Sequence, residues 1–272
     1  MQKQNLKLFF LIFFLITPFF AEAITFSDNF DSYINEQEVE AAGWNLDYTT
    51  LESSGCRSGK CLKADITATG TRWYIMHDLN EAQPYIRFYA KRVGFDGSGG
   101  NKFLKLFGEN IDYVNYANIT FGQEYTNGIF GTVNTGGGQG LENDTTCNWY
   151  WSAHSLPCIG TANLTSSDLN MEDGRWYAFE VHVYPNTNGN FDGLIQVWVD
   201  GVKRLDYSNL RMRNDNNIRN FTDMSFVNYV GGTLAGNYEM WFDDVVVSNE
   251  YVGPIESIDT TAPNAPQGLS VL

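Results

Sequence analysis

The chain has 272 residues, of which 43% are hydrophobic, 15% aromatic and 18% charged, with 26 glycines and 7 prolines. This composition excludes a disordered polymer, and it favours strands and tight turns over a helical bundle. A net charge of −15 argues against nucleic acid as a partner, because a strongly negative field repels phosphate backbones.

The first element is an apolar run at residues 8–20, which follows Lys3 and Lys7 and precedes Ala21-Glu22-Ala23. A basic start, a short apolar run and A-x-A spacing are typical of a cleaved secretory signal peptide. We therefore predict that residues 1–23 are removed and that the mature chain is secreted, extracellular or periplasmic. A membrane anchor is the alternative, but a spanning helix needs roughly 20 apolar residues.

Residues 24–255 are predicted to form one all-β domain, an antiparallel two-sheet sandwich. Runs of β-branched and aromatic residues at 85–91, 176–184, 194–200 and 241–248 are separated by Gly/Asn/Asp clusters, a pattern typical of strands and turns. Helix is expected only at 35–42 and 166–171. Alternation predicts that three sets of residues point into the core: Val181 and Val183; Ile195, Val197 and Val199; and Ile86, Phe88 and Ala90.

The four cysteines form two local pairs, Cys56 with Cys61 and Cys147 with Cys158. Because an exported protein meets oxidising conditions, we predict a disulfide within each pair. Metal binding is the competing use, but the spacing contains no C-x-x-C and no histidine pair accompanies it.

The opposite face of the same strands combines polar and aromatic side chains, as a sugar-binding platform does. Its members are Glu180, His182 and Tyr184; Gln196 and Trp198; and Arg87, Tyr89 and Lys91. A second set of rings lies within the Cys147–Cys158 segment, where Trp149, Trp151 and His154 either stack on a ligand or pack the loop onto the sandwich.

The segment from Trp176 to Gly201 carries the pattern W…V-H-V…D-G-x-I-x-V-W-V-D-G. It resembles the concanavalin A-like lectin/glucanase superfamily, and within it the jelly-roll polysaccharide lyases of the heparin lyase, glucuronan lyase and alginate lyase types, as well as laminin G-like modules. The resemblance implies that the first and last strands pair and close a jelly roll. The tail at 256–272 resembles a linker and the start of a fibronectin type III module, which implies a larger multidomain protein.

The same residues suggest three hypotheses for the function of the protein. The first is a carbohydrate-recognising domain that binds a polysaccharide on one sheet face, and the second is a lyase that cleaves uronate-containing glycans by β-elimination. The third is a structural or adhesive domain. For a lyase, the resemblance implies a catalytic role for His182 and Tyr184, while Arg87 or Lys91 would neutralise the uronate carboxylate. A structural histidine is the competing interpretation.

No cofactor is expected, apart from a candidate structural calcium ion. Pairing of the first and last strands would bring Asp28 close to Asp243 and Asp244, where a cation would relieve carboxylate repulsion. Hydrogen bonds from turn amides to Asp28 are the alternative. The oxygen-rich stretch at 186–192 is predicted to be a hairpin turn and not a calcium loop, because no glutamate closes it.

Overall fold

The structure is a computed structural model, and it describes residues 24–66, 73–94, 100–108, 116–123, 129–135, 171–187, 190, 192–210, 220–231 and 238–255. The described elements are one helix and fourteen strands. In chain order they are β1 (Ile24–Asp28), α1 (Glu36–Ala41), β2 (Trp44–Leu46), β3 (Thr49–Glu52), β4 (Cys61–Ile66), β5 (Trp73–Glu81), β6 (Tyr85–Val93), β7 (Gly100–Gly108), β8 (Tyr116–Gln123), β9 (Ile129–Thr135), β10 (Trp176–Tyr184), β11 (Gly193–Val199), β12 (Val202–Leu210), β13 (Phe221–Gly231) and β14 (Tyr238–Ser248).

The strands form two antiparallel sheets, so the predicted β-sandwich is confirmed. One sheet has eight strands in the order β12-β11-β10-β6-β14-β4-β3, with β1 pairing to β14. The other has six strands in the order β2-β5-β13-β7-β8-β9. The predicted pairing of the first and last strands is confirmed, since Asp28 lies opposite Val245 and Ser27 lies opposite Val246.

Aromatic rings from both sheets meet in the core. Phe226 of β13 lies 4.9 Å from Phe88 and 4.8 Å from Phe242, measured between ring centroids, and Phe88 lies 5.5 Å from Phe179. All four side chains are buried. The eight side chains predicted to point inward from β6, β10 and β11 also belong to this core, because alternation along a strand sends every second residue to one face.

The Asp28 carboxylate stabilises the turn that follows β1. Asp28 accepts hydrogen bonds from the Phe30 backbone N–H at 2.8 Å, the Tyr33 hydroxyl at 2.7 Å and the Trp44 indole N–H at 2.9 Å. Burial, reinforced by this bond to Asp28, raises the pKa of Tyr33. The turn therefore fixes β1 against β2.

Local structure at two other predicted sites is as expected. The Asn35 side chain accepts a hydrogen bond from the Glu38 N–H and caps α1, which confirms helix within 35–42. Between β10 and β11, Asp192 accepts from the Thr187 N–H at 2.7 Å and from its hydroxyl at 2.5 Å. The stretch is thus a hairpin connection. The predicted helix at 166–171 lies outside the described residues, except for Met171.

The described disulfide joins Cys56 to Cys61, with Cα atoms 5.4 Å apart. It constrains the segment between β3 and β4, here called the disulfide loop (residues 53–60). Arg57 of this loop contacts Asp244 of β14 and Tyr89 of β6. The Cys147–Cys158 pair, the predicted signal peptide and the tail lie outside the described residues. Within the described ranges no helix is long and apolar enough to cross a membrane.

Candidate functional site

The predicted site residues of β6, β10 and β11 do lie side by side on the outer face of the eight-stranded sheet. Glu180 is opposite Trp198 on one side and Arg87 on the other. His182 is likewise opposite Gln196 and Tyr85. The strand register therefore brings these residues together, as alternation predicts. Whether a ligand can reach them depends on how exposed their side chains are.

His182 is held inside this face. It is 7% exposed, its ring stacks on Tyr85 with centroids 3.7 Å apart, and its Nδ1 lies 3.2 Å from the Pro84 carbonyl oxygen. Burial lowers the pKa of His182 to about 4, and the nearby charge of Lys203 acts in the same direction. The imidazole is consequently neutral at pH 7 and a weak proton acceptor.

Glu180 is hydrogen-bonded to the backbone of the segment that follows β14. Its two carboxylate oxygens accept hydrogen bonds from the N–H groups of Val252 and Gly253, both at 2.7 Å. Gly253 has a φ of 76°, and this left-handed conformation lets consecutive N–H groups converge on one anion. We call residues 251–255 the C-terminal strap.

The cations of this face are covered as well. Arg87 is 5% exposed and burial lowers its pKa. Lys91 is 7% exposed, donates to the Gly55 carbonyl of the disulfide loop, and lies 4.0 Å from the centre of the Trp241 ring. Burial lowers the pKa of Lys91 too. Neither side chain is presented to a uronate carboxylate in solvent.

Tyr89 shows how the two covering segments meet. The Arg57 guanidinium of the disulfide loop lies 3.9 Å above its ring, and its hydroxyl accepts a hydrogen bond of 2.8 Å from the Ile255 N–H of the strap. Arg87, Tyr89, Lys91, Glu180 and His182 are therefore buried in the described structure, and their roles in ligand binding stay predictions. Alternation separates the two faces of a sheet but does not show what covers the outer one.

The remaining described members are partly accessible. Trp198 is half-buried, with its ring 5.0 Å from that of Tyr251 and 5.1 Å from the Lys203 ammonium. Gln196 donates to Asp206 at 2.9 Å, and Tyr184 is half-buried. Trp149, Trp151 and His154 lie outside the described residues. Among the predicted site residues that the structure describes, Tyr184, Gln196 and Trp198 are thus the ones partly accessible on this face.

The three aspartates predicted to hold calcium have hydrogen-bond or ion-pair partners within the protein. Asp28 receives the three hydrogen bonds described above, and Asp244 forms an ion pair with Arg57. Asp243 is fully buried and accepts from the Asp244 N–H at 2.8 Å. Burial raises the pKa of Asp243 to about 7, and the Asp244 charge adds to the effect. In the described part of the chain, no three acidic, histidine or cysteine side chains form a metal-binding group.

A second polar face, which the sequence analysis did not single out, lies on the outside of the six-stranded sheet. Register places one residue of each strand in a row that crosses the whole sheet. We call it the central row: Asn45 of β2, Met76 of β5, Ser225 of β13, Lys105 of β7, Thr120 of β8 and Thr132 of β9.

Alternation identifies the face to which this row belongs. Leu104 and Leu106 are buried in the core, as are Met224 and Phe226, so positions 105 and 225 lie on the opposite face. Asn45, at one end of the row, is exposed. The sequence does contain a pattern that indicates this face, namely a single polar residue between two apolar ones in Leu104-Lys105-Leu106 and in Met224-Ser225-Phe226. Only the strand register shows that these two segments are aligned.

Comparison with known proteins adds evidence on the fold. No protein-family model matches the chain, and no curated protein matches it. Among solved structures, an alginate lyase in complex with an alginate tetrasaccharide is similar, with a TM-score of 0.56 and 16% identity, covering 84% of this chain and 97% of the lyase.

Two further structures have related activities. The endo-beta-1,4-glucuronan lyase from the fungus Trichoderma reesei has a TM-score of 0.52 and 13% identity, covering 84% of this chain and 96% of its own. The alginate lyase from Aplysia kurodai has a TM-score of 0.53 and 15% identity, covering 76% and 87%. The predicted likeness to alginate and glucuronan lyases is confirmed at the level of the fold, which is the jelly roll of these enzymes.

Proposed function

We propose that this protein is an exported enzyme that binds an acidic polysaccharide and cleaves it by β-elimination beside a uronate. The observation that carries the proposal is the similarity to alginate and glucuronan lyases over nearly the full length of each. The predicted signal peptide supports a secreted or periplasmic location, and the predicted module at 256–272 supports membership of a larger multidomain protein. A fold hosts many functions, so the site has to be argued separately.

β-Elimination needs three groups around the sugar. A base removes the proton next to the carboxylate, a cation or hydrogen-bond donor stabilises the negative charge that develops, and an acid protonates the leaving oxygen. The central row holds a lysine, an amide and three hydroxyl residues in one line across the six-stranded sheet. These residue types can bind a uronate, and Lys105 is the cation of the row.

Two locations for the chemistry therefore compete. The sequence assigns it to His182, Tyr184 and Arg87, but the weakly basic, buried imidazole and the covered guanidinium make that face a poor place for proton transfer. The central row is our preferred location, because Lys105 aligns with Ser225 and Thr120 on a different face of the sandwich.

One screen tests both the reaction and its location. The full chain is incubated with alginate, glucuronan and heparin-type chains, and a rise in ultraviolet absorbance reports the unsaturated product. We expect a rise with at least one uronate polymer, loss of about a hundredfold or more of the rate in Lys105→Ala, and most of the rate retained in His182→Phe. A flat trace with every polymer refutes the lyase proposal, whereas loss in His182→Phe with retention in Lys105→Ala moves the site to the eight-stranded sheet.

A second candidate function is recognition of a neutral glycan without cleavage. It is favoured by the pairing of Asp78 with Asp223, which lie opposite each other one register step of two residues from Met76 and Ser225. Asp78 is exposed and Asp223 half-buried, so this end of the face is acidic and suits sugar hydroxyls better than carboxylates. Binding to neutral oligosaccharides on a glycan array, with no ultraviolet signal on uronates, would support this function.

A further inference from the structure

Two accessible aromatic rings lie next to each other near one edge of the eight-stranded sheet. Trp198 of β11 is half-buried, and Tyr251 of the C-terminal strap is 39% exposed. Their ring centroids are 5.0 Å apart, and the ring planes are inclined at 45°. The neighbouring strand β12 is the edge strand on this side, so the pair lies near the rim of the sheet. We call Trp198 and Tyr251 the ring platform.

The C-terminal strap holds Tyr251 in place. The N–H groups of Val252 and Gly253, which follow it, are bonded to the Glu180 carboxylate at 2.7 Å. Gly201 and Gly253 both have positive φ. An added Cβ would lie 3.9 Å from the Tyr251 hydroxyl oxygen at Gly201, and 3.4 Å from the tyrosine ring at Gly253. The two glycines therefore let this ring pack closely against the backbone, and a ring that is already positioned loses little conformational entropy when a ligand binds.

Polar side chains surround the tryptophan ring. Lys203 of β12 lies opposite Trp198 in the strand register, and its ammonium is 5.1 Å from the centre of the ring. Lys203 also donates to Asp206 at 3.2 Å. Gln196 donates to the same carboxylate at 2.9 Å. An ammonium has three donors and a side-chain amide also has an acceptor oxygen, so these groups can still bond to the hydroxyls of a ligand.

The charges around the platform indicate the class of ligand. Lys203 and Asp206 are both partly exposed and compensate each other, while the chain as a whole carries a charge of −15. An anionic sugar therefore gains little electrostatic attraction here. Burial and the charge of Glu180 raise the pKa of Tyr251, so its hydroxyl keeps its proton and remains a donor. Exposed rings with a polar rim are typical of a binding surface, and rings that cover the apolar C–H face of a pyranose suit a neutral sugar.

We propose that the ring platform is a second glycan-binding site, which stacks on the pyranose rings of a neutral polysaccharide. The platform belongs to the eight-stranded sheet, whereas the central row belongs to the six-stranded sheet. The inference goes beyond the proposed function, because binding at the platform needs neither a uronate nor a proton transfer. In a mixture of polysaccharides, the platform anchors the protein to a neutral component while the central row acts on an acidic one.

The experiment measures the binding of neutral hexasaccharides to the full chain by calorimetry. The probes are cellohexaose, laminarihexaose, xylohexaose and mannohexaose, with alginate and glucuronan oligosaccharides as charged comparisons. We expect at least one neutral probe to bind more tightly than the charged ones. Its affinity should fall about tenfold in Trp198→Ala and about fivefold in Tyr251→Ala, because each variant removes a stacking ring. Trp198→Phe should retain most of the affinity, since it keeps a ring.

Tyr48→Ala is the matched control. Tyr48 is a tyrosine that is 70% exposed and does not belong to the platform, so this variant should bind with wild-type affinity. Thermal unfolding of every variant shows whether a loss of affinity reflects a loss of the fold. Tyr251→Ala removes a surface ring, so it keeps the test valid if Trp198→Ala proves unstable.

Three results would overturn the inference. The first is a wild type that binds none of the neutral probes, and the second is binding that Trp198→Ala and Tyr251→Ala both retain. The third is tighter binding of the charged oligosaccharides that is lost in Trp198→Ala, since the platform would then recognise a uronate. The ultraviolet screen on uronate polymers tests the proposed function separately, so a failure of one proposal can be told from a failure of the other.

Discussion

Removing the carboxylate of Glu180 should release the C-terminal strap from the sandwich. Glu180 is 2% exposed, and each of its oxygens accepts one strap N–H at 2.7 Å. A hydrogen bond to a charged group contributes about 1.5–3 kcal/mol. Losing two of them, with two N–H groups left to find new partners, predicts a cost of about 3–6 kcal/mol for Glu180→Ala.

The measurement is thermal and denaturant unfolding combined with hydrogen exchange at Val252 and Gly253. For a domain of this size the cost corresponds to a fall of roughly 6–24 °C in Tm, and exchange at the two strap amides should become fast. Glu180→Gln should fall in between, because the amide keeps one acceptor oxygen but turns an N–H donor toward a strap N–H.

A comparison substitution on the same face makes the result specific. Gln196 is half-buried and donates to the half-buried Asp206 carboxylate at 2.9 Å. Because solvent screens this bond, Gln196→Ala should cost about 1 kcal/mol and leave strap exchange unchanged. If Glu180→Ala had wild-type stability and its strap amides were still protected from exchange, then Glu180 would not hold the strap against the sheet. The conclusion that the strap covers this face would then be wrong.

Two further predictions concern pH and the disulfide. The folded-state pKa of His182, about 4, lies below its unfolded value of 6.5, so between these pH values only the unfolded chain gains a proton. As pH falls from 6.5 to 4, the wild type should therefore lose up to about 3 kcal/mol more stability than His182→Phe. Equal dependence of stability on pH for the two proteins, measured in urea titrations, would contradict this. Reducing the Cys56–Cys61 disulfide, or replacing both residues with serine, should lower the free energy of unfolding by about 2 kcal/mol and speed proteolytic cleavage near Arg57. Unchanged protease resistance would show that the ion pair between Arg57 and Asp244 is enough to hold the loop in place.

The amino-acid sequence by itself determined the architecture, because hydrophobic periodicity is a local property. Val181, Val197 and Phe88 alternate with polar neighbours, and that alternation is enough to predict which side chains enter the core. The helix within 35–42 and the Cys56–Cys61 bridge were predictable for the same reason, since each depends on residues a few positions apart.

Only the tertiary structure decided that the outer face of the eight-stranded sheet is covered by the strap and the disulfide loop. Glu180 and Val252 are 72 residues apart, and the strap bonds between them depend on where β14 ends relative to β10. Arg57 reaches Tyr89 and Asp244 because the disulfide loop folds over β6 and β14. No local pattern encodes these approaches. The alignment of Ser225 with Lys105 likewise depends on the register of two strands distant in sequence, since a slip of one residue would move either side chain to the other face.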